Sequence, residues 1–332
     1  MVILSNETLE GPVQLPGDSW AQKDTRRLLR ACYHVSNLDA AIQFYNRYFG
    51  LLLSVKLDFP GAPLQRALMA GAAGDGQEHF QLELRCREPS PDVAFGVAAD
   101  GTPASAASQP LRLGDGLDHF TVVVPDAPDA VAGLRRDGLG HLVAEELAAV
   151  FSVRSEGASK QDKVSLVRDL DGWPWQLLEL HAAHAPERLC TVSIRVRDVA
   201  ASLRWYQQVL GMRVLQKYEA TGGGHISALV GFTPELDGPL LELRQAAHDR
   251  PMTDLGNAFA WFVLGTADLA GTMVNLEVQG EAWEKVELPS CEDPTQTVGA
   301  ATVADPDGWR FCLVQHSPAV PAAQPMEGVE AM

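Results

Sequence analysis

The residue types best suited to nucleophilic or metal chemistry are spread thinly along this chain. Its five cysteines, Cys32, Cys86, Cys190, Cys291 and Cys312, are odd in number and show no CxxC spacing. That pattern fits free thiols in a reducing compartment better than a disulfide framework or a zinc knuckle. The acidic residues are more orderly. "RDLDGWPWQLLEL" (168–180) returns as "ADPDGWRFCLVQH" (304–316), so that Asp169, Asp171, Gly172, Trp173 and Leu177 recur as Asp305, Asp307, Gly308, Trp309 and Leu313. An Asp-Gly step between two apolar runs signals a hairpin turn, and here it is written twice.

A turn can place chemistry only if longer elements hold it, and a second echo supplies them. "VSNLDAAIQFYNRYFGL" (35–51) aligns without gaps to "VRDVAASLRWYQQVLGM" (196–212). Each copy follows a β-rich run, "LLRACYHV" or "LCTVSIRV". Asn37 and Asp198 stand where helix caps belong. Ile42, Tyr45 and Phe49, matched by Leu203, Tyr206 and Leu210, recur at helical spacing. Gly50 and Gly211 then fall at the left-handed stop. Further strands are predicted at "QRALMA", "HFQLELRC", "HISALVGF" and "PLLELRQ", and a second strand–helix–hairpin unit closes each half. The chain therefore reads as an α+β fold of four βαβββ modules. Residues 28–184 form one half and 188–316 the other. Segment 89–116, rich in Ala, Ser, Pro and Gly, reads as a flexible insertion. Residues 181–188 read as a connector, and 1–27 and 317–332 as tails.

Bulk properties agree with a two-domain globular protein. The chain has 332 residues, of which 46% are hydrophobic and 21% charged, enough apolar material for real cores. A net charge of −17 argues against nucleic-acid and anionic-membrane surfaces. The first residues lack a basic leader and a long apolar run. A cytoplasmic monomer acting on a small molecule is the expectation.

The pattern V-x-(D/N), then (F/W)-Y and (L/F)-G, followed later by D-x-D-G-W, resembles the vicinal oxygen chelate superfamily, and glyoxalase I in particular. Two fused halves in one chain are most similar to the tandem glyoxalase-domain group of eukaryotes. The resemblance covers roughly residues 28–316. It implies sheets curved around a metal, each built from modules of different halves, so that module one faces module four and module three faces module two. It implies ligands at the first and last strands, typically His or Gln, Glu, His and Glu. Those positions fall here on Arg30, Glu83, Phe259 or Trp261, and Cys312 for the one–four pairing. For the two–three pairing they fall on Thr191, Glu242, His119 and Gln176.

The two sets imply different chemistry. Arg30 cannot lose its proton, so it stands where a metal's charge would and is expected to neutralise Glu83. Cys312 beside it is either a thiolate promoted by Arg30 or an inert core thiol. His119, Glu242 and Gln176 offer an imidazole, a carboxylate and an amide oxygen, with Thr191 as a weak fourth donor or water anchor. Such a set suits Zn²⁺, Ni²⁺, Co²⁺ or Mn²⁺. The resemblance further implies that Arg195 and Lys160 contact substrate, with glutathione as co-substrate. Two other contacts of that kind are replaced, by Ala246 and Asp115. Glu242 would then act as base and acid in isomerising a hemithioacetal, a lactoylglutathione lyase-like reaction. The alternative is a non-catalytic protein of the same fold that binds a small molecule or a protein partner, and His119 and Glu242 would then be a simple hydrogen-bonded pair.

Overall fold

A computed structural model describes residues 20–58, 64–71, 80–87, 110–147, 163–179, 189–219, 226–233, 238–245, 252, 254–290 and 295–316. Module one comprises β1 (Arg26–His34), α2 (Leu38–Phe44), β2 (Leu52–Asp58), β3 (Leu64–Ala70) and β4 (Gln81–Arg87), after a helical turn α1 (Trp20–Lys23). Module two comprises β5 (Leu117–Val124), α3 (Ala127–Arg136), β6 (Val143–Leu147), β7 (Lys163–Arg168) and β8 (Pro174–Glu179). The second half repeats the scheme. Module three has β9 (Leu189–Val196), α4 (Val199–Gln208), β10 (Arg213–Glu219), β11 (Ile226–Gly231) and β12 (Leu240–Gln245). Module four has β13 (Phe259–Thr266), α5 (Leu269–Gln279), β14 (Trp283–Pro289), β15 (Thr297–Ala304) and β16 (Arg310–Gln315).

The helices start and stop for local reasons. Asn37 and Asp198 accept backbone N–H groups of the first helical turns, which satisfies donors that a helix start leaves orphaned. α2 widens into a π-helical turn over Tyr45–Phe49 that ends on Gly50 with φ of 66°, as the glycine predicted.

Two eight-stranded sheets result, and neither belongs to one half. One runs β14-β15-β16-β13-β1-β4-β3-β2 and the other β10-β11-β12-β9-β5-β8-β7-β6. Modules one and four thus share a sheet through the antiparallel seam β1–β13, and modules two and three through β5–β9. Side chains alternate across each strand. Ala31 and Tyr33, or Val192 and Ile194, enter the large core that packs both sheets and the helices together. Cys32 and Thr191 face the opposite side.

The duplicated turn clasps the two sheets to one another. Asp169 accepts backbone N–H groups of Asp171 at 3.0 Å and Trp173 at 2.9 Å, while Asp305 accepts those of Asp307 at 2.9 Å and Trp309 at 2.8 Å. The second oxygen of each takes a buried tyrosine hydroxyl, Tyr45 or Tyr206. Asp171 then accepts Ser36 N, and Asp307 accepts Arg197 N. Trp173 Nε1 and Trp309 Nε1 donate to the carbonyls of His34 and Arg195. Each turn therefore grips the end of a first strand in the other sheet.

Two segments at the edges of the modules make specific contacts. At the start of β1, Arg26 is buried, donates to the carbonyls of Val209 at 2.9 Å and Leu210 at 3.1 Å, and pairs with Asp24. The end of the expected insertion, 110–116, is fixed against 254–257. Asp115 N donates to Asp254 O at 2.8 Å, and a Cβ on Gly256 would lie 2.1 Å from Arg112 O. Residues 89–109 of the insertion, the connector 181–188 and residues 1–19 and 317–332 of the tails lie outside the described residues.

Candidate functional site

The open faces of the two sheets differ as sharply as their sequences. On the one–four sheet the face is a contiguous apolar cluster of Cys32, Val263, Ala300, Cys312 and Val314, with Trp261, Val286 and Leu288 against it. Glu83 lies at its polar edge. Arg85 Nη2 reaches it at 2.7 Å, Arg66 Nη1 at 3.0 Å and Arg30 Nε at 3.5 Å. Burial opposes ionisation of Glu83, but Arg85, Arg30 and Arg66 outweigh it and bring its pKa down to about 2. Three guanidiniums thus stand where a cation would otherwise sit. The register across β1–β13 puts Trp261 opposite Cys32, so Trp261, not Phe259, fills the disputed position. Its ring carries the Arg85 guanidinium at 4.1 Å, a cation–π contact.

Cys312 is buried within that apolar cluster. Burial pushes its thiol up to about 12, with Arg30 and Arg85 pulling the other way and the Glu83 carboxylate adding to the rise. Burial of the sulfur disfavours the thiolate, and the nearby guanidiniums are engaged with Glu83. Cys32 and Cys86 are also buried.

On the two–three sheet the middle of the face is polar. The apolar groups split into two clusters, Val123, Val164 and Leu178 on one side and Tyr218, Leu229 and Leu240 on the other. Between them, β5 contributes His119 and β12 contributes Glu242, both lying against Ser193 in the register of β9. His119 Nε2 and Glu242 Oε2 are 4.0 Å apart. Thr191 pairs with Thr121 across β5–β9, and Gln176 sits beside Thr121, whose hydroxyl donates to Gln176 Oε1 at 3.0 Å. The structure thus brings His119 and Glu242 together and places Gln176 and Thr191 on the adjoining strands. Lys160 and Ala246 lie outside the described residues. Asp115 is turned away, accepting Asp254 N at 2.9 Å.

Three residues at this face were missed by reasoning from the sequence. Tyr218 donates a hydrogen bond to Glu242 Oε1. Arg244, two residues along the same strand, approaches Glu242 Oε1 at 3.7 Å and pairs closely with Asp118. Asp118 also accepts both Nε and Nη2 of Arg195 at 3.1 Å. Arg195 is therefore held by an internal carboxylate. The repeated "LELR" was a signal for Arg244; nothing marked Tyr218 or Asp118.

Burial alone would raise the pKa of Glu242, yet Arg244, His119 and Tyr218 hold it below the usual range. Tyr218 itself is pushed well up by burial and by that carboxylate. The face therefore presents an ionised carboxylate beside an imidazole nitrogen. Among the described residues no three His, Cys, Asp or Glu side chains converge as a metal site. The donor set suits a divalent cation held by two strong protein ligands, His119 and Glu242, with the Gln176 amide oxygen and water completing the shell. The one–four face does not suit one.

Comparison with known proteins agrees with this architecture. Residues 188–313 match the family model of the Glyoxalase/Bleomycin resistance protein/Dioxygenase superfamily. A lactoylglutathione lyase of Arabidopsis thaliana is 28% identical over 299 residues, 90% of this chain and 94% of that relative. A lactoylglutathione lyase of Neisseria meningitidis is 31% identical over 128 residues, 39% of this chain and 90% of that relative. Glyoxalase I from Zea mays superposes with a TM-score of 0.68 at 25% identity, covering 89% of this chain and 94% of that one. The chain belongs to the glyoxalase/bleomycin resistance protein/dioxygenase superfamily and has the two-halved form of a glyoxalase-I-like protein.

Proposed function

We propose that this protein is a metal-assisted isomerase of the glyoxalase I type, acting on a hemithioacetal at the open face of the two–three sheet alone. The observation that carries the reading is the 4.0 Å approach of His119 Nε2 to Glu242 Oε2, made by two strands that different halves of the chain contribute. His119 and Glu242, with Gln176, would hold a divalent cation there, which would supply Lewis-acid polarisation of the substrate oxygens. Glu242, kept ionised by its neighbours, takes the proton from the carbon next to the carbonyl and returns it to the adjacent carbon. Tyr218 and Arg244 hold its Oε1 while Oε2 faces His119. Gln176, an amide, holds no proton for transfer; it orients through Thr121.

The lactoylglutathione lyases among the relatives support glutathione as the thiol of the substrate. One observation favours a narrower thiol recognition. Arg195, the guanidinium expected to take a substrate carboxylate, is already bonded to Asp118, so an incoming carboxylate competes with an internal one. No described helix is long and apolar enough to span a bilayer.

The test is turnover of methylglyoxal–glutathione hemithioacetal by protein loaded with Ni²⁺, Co²⁺ or Zn²⁺. Glu242→Gln removes the base and should lower kcat by about 10²-fold or more, the scale of general acid–base catalysis. Absent turnover in the loaded wild type would leave the non-catalytic binding role.

A further inference from the structure

We infer that Asp118 is a positioning residue that aims the His119 imidazole, and that a β-bulge built into β5 exists in the fold to bring the two onto one face. Adjacent strand residues ordinarily point to opposite faces. Here Leu117 opposes Ile194 and His119 opposes Ser193, so two residues of β5 advance against one of β9 and Asp118 is the extra one. A bulge of this kind re-aims a side chain. Its result is an Asp118 Oδ2–His119 Nδ1 contact of 2.8 Å.

That contact decides which ring nitrogen is available. With its proton on Nδ1 and shared with the carboxylate, the ring keeps its lone pair on Nε2, the atom directed at Glu242 Oε2. Metal-binding imidazoles are commonly fixed in this way by an outer carboxylate. Asp118 can serve because it is itself fixed. Arg195 donates twice to Oδ1, and Arg244 pairs with Oδ2.

The molecule contains its own comparison. The same bulge recurs in the one–four sheet, where Cys32 opposes Trp261 and Tyr33 opposes Phe259, leaving Ala260 as the extra residue. There the histidine position holds Trp261 and the aspartate position Ala260, and both pack into the apolar cluster. Arg85, which corresponds to Arg244, lies over the Trp261 ring rather than on an acid at position 260. The backbone device is thus present twice, but the carboxylate accompanies the imidazole only where the imidazole exists.

The inference extends the proposed metal reading but has a test that does not require it. In ¹⁵N-labelled protein, at a pH where the ring is neutral, His119 should carry its proton on Nδ1. Asp118→Ala should shift it toward the Nε2–H form. Asp118→Asn keeps the size and an acceptor oxygen, guards against a folding failure, and should retain the Nδ1–H form. Calorimetric titration with Co²⁺ should show affinity about 10–100-fold weaker in Asp118→Ala than in wild type, with Asp118→Asn between them. A His119 ring that carries its proton on Nε2 in wild type, or a tautomer unchanged by Asp118→Ala, overturns the inference. So does unchanged Co²⁺ affinity in that variant. A wild type that takes up no Co²⁺ while its tautomer still follows Asp118 overturns the metal reading and leaves the positioning role standing.

Discussion

Glu83 and Glu242 occupy equivalent points of two "LELR" strands, and their neighbours give them opposite fates. Around Glu242 the positions matching Arg30 and Arg66 are Thr191 and Ser227, too small to fill the space, and the carboxylate faces an imidazole. Around Glu83 those positions are guanidiniums. Removing the carboxylate alone, as in Glu83→Ala, leaves two buried guanidiniums, Arg66 and Arg85, and the half-buried Arg30 without it and should destabilise the fold by about 3–5 kcal/mol, read from denaturant midpoints, with metal uptake unchanged. The Glu83 contribution also has a pH signature. Its folded pKa is depressed to about 2 from 4.5, so the stability it gives is present above about pH 4.5 and is lost as pH falls through about 2. At this scale the sequence was partly legible. The approach of Arg30 to Glu83, and of His119 to Glu242, was expected from the family resemblance. Arg66 and Tyr218 were not, because Arg66 lies one strand out from Glu83 and Tyr218 two strands out from Glu242, where only the register of β3 on β4, and of β10 on β11 and β11 on β12, brings them to the glutamates.

The closing hairpins show why one chain writes the same turn twice: each stitches a first strand of one sheet to a turn of the other. Asp305 sits at the centre of one stitch, where burial, helped by Asp307, raises its pKa to about 6 against the pull of Trp309 N and the Tyr206 hydroxyl. A raised carboxylate favours folding fully below its unfolded value of about 3.8, and that contribution is lost as pH rises through about 6. The stability gap between wild type and Asp305→Asn should therefore shrink by up to about 3 kcal/mol between pH 4 and pH 7, measured by urea unfolding across that range. A gap independent of pH would contradict it. The elements themselves were largely legible: the caps Asn37 and Asp198 and the stop at Gly50 carry local signals strong enough to read. The bulge at Asp118 was not. Its cause is a register mismatch between strands of different halves, and no residue pattern within β5 announces it.

At the scale of the molecule, the decisive feature is that each sheet is completed by the opposite half. The repeated order of elements gives two equivalent faces, and the crossing of halves lets each be built from residues of both. Guanidiniums and an apolar cluster closed one; a histidine, a glutamate and an outer aspartate kept the other open. The pairing of module one with module four and of module two with module three was expected only from the family resemblance, because four repeated modules could equally pair within each half. The Arg195–Asp118 bond could not be anticipated, since the aspartate reaches the guanidinium only after the bulge turns it. The most direct measurement is the metal content of purified protein after exposure to Co²⁺ or Zn²⁺ and removal of free ion, for wild type, Glu242→Gln and Glu83→Gln. One ion per chain in wild type and in Glu83→Gln, with loss from Glu242→Gln, is the predicted result. Two ions per chain, or one retained by Glu242→Gln, would contradict it.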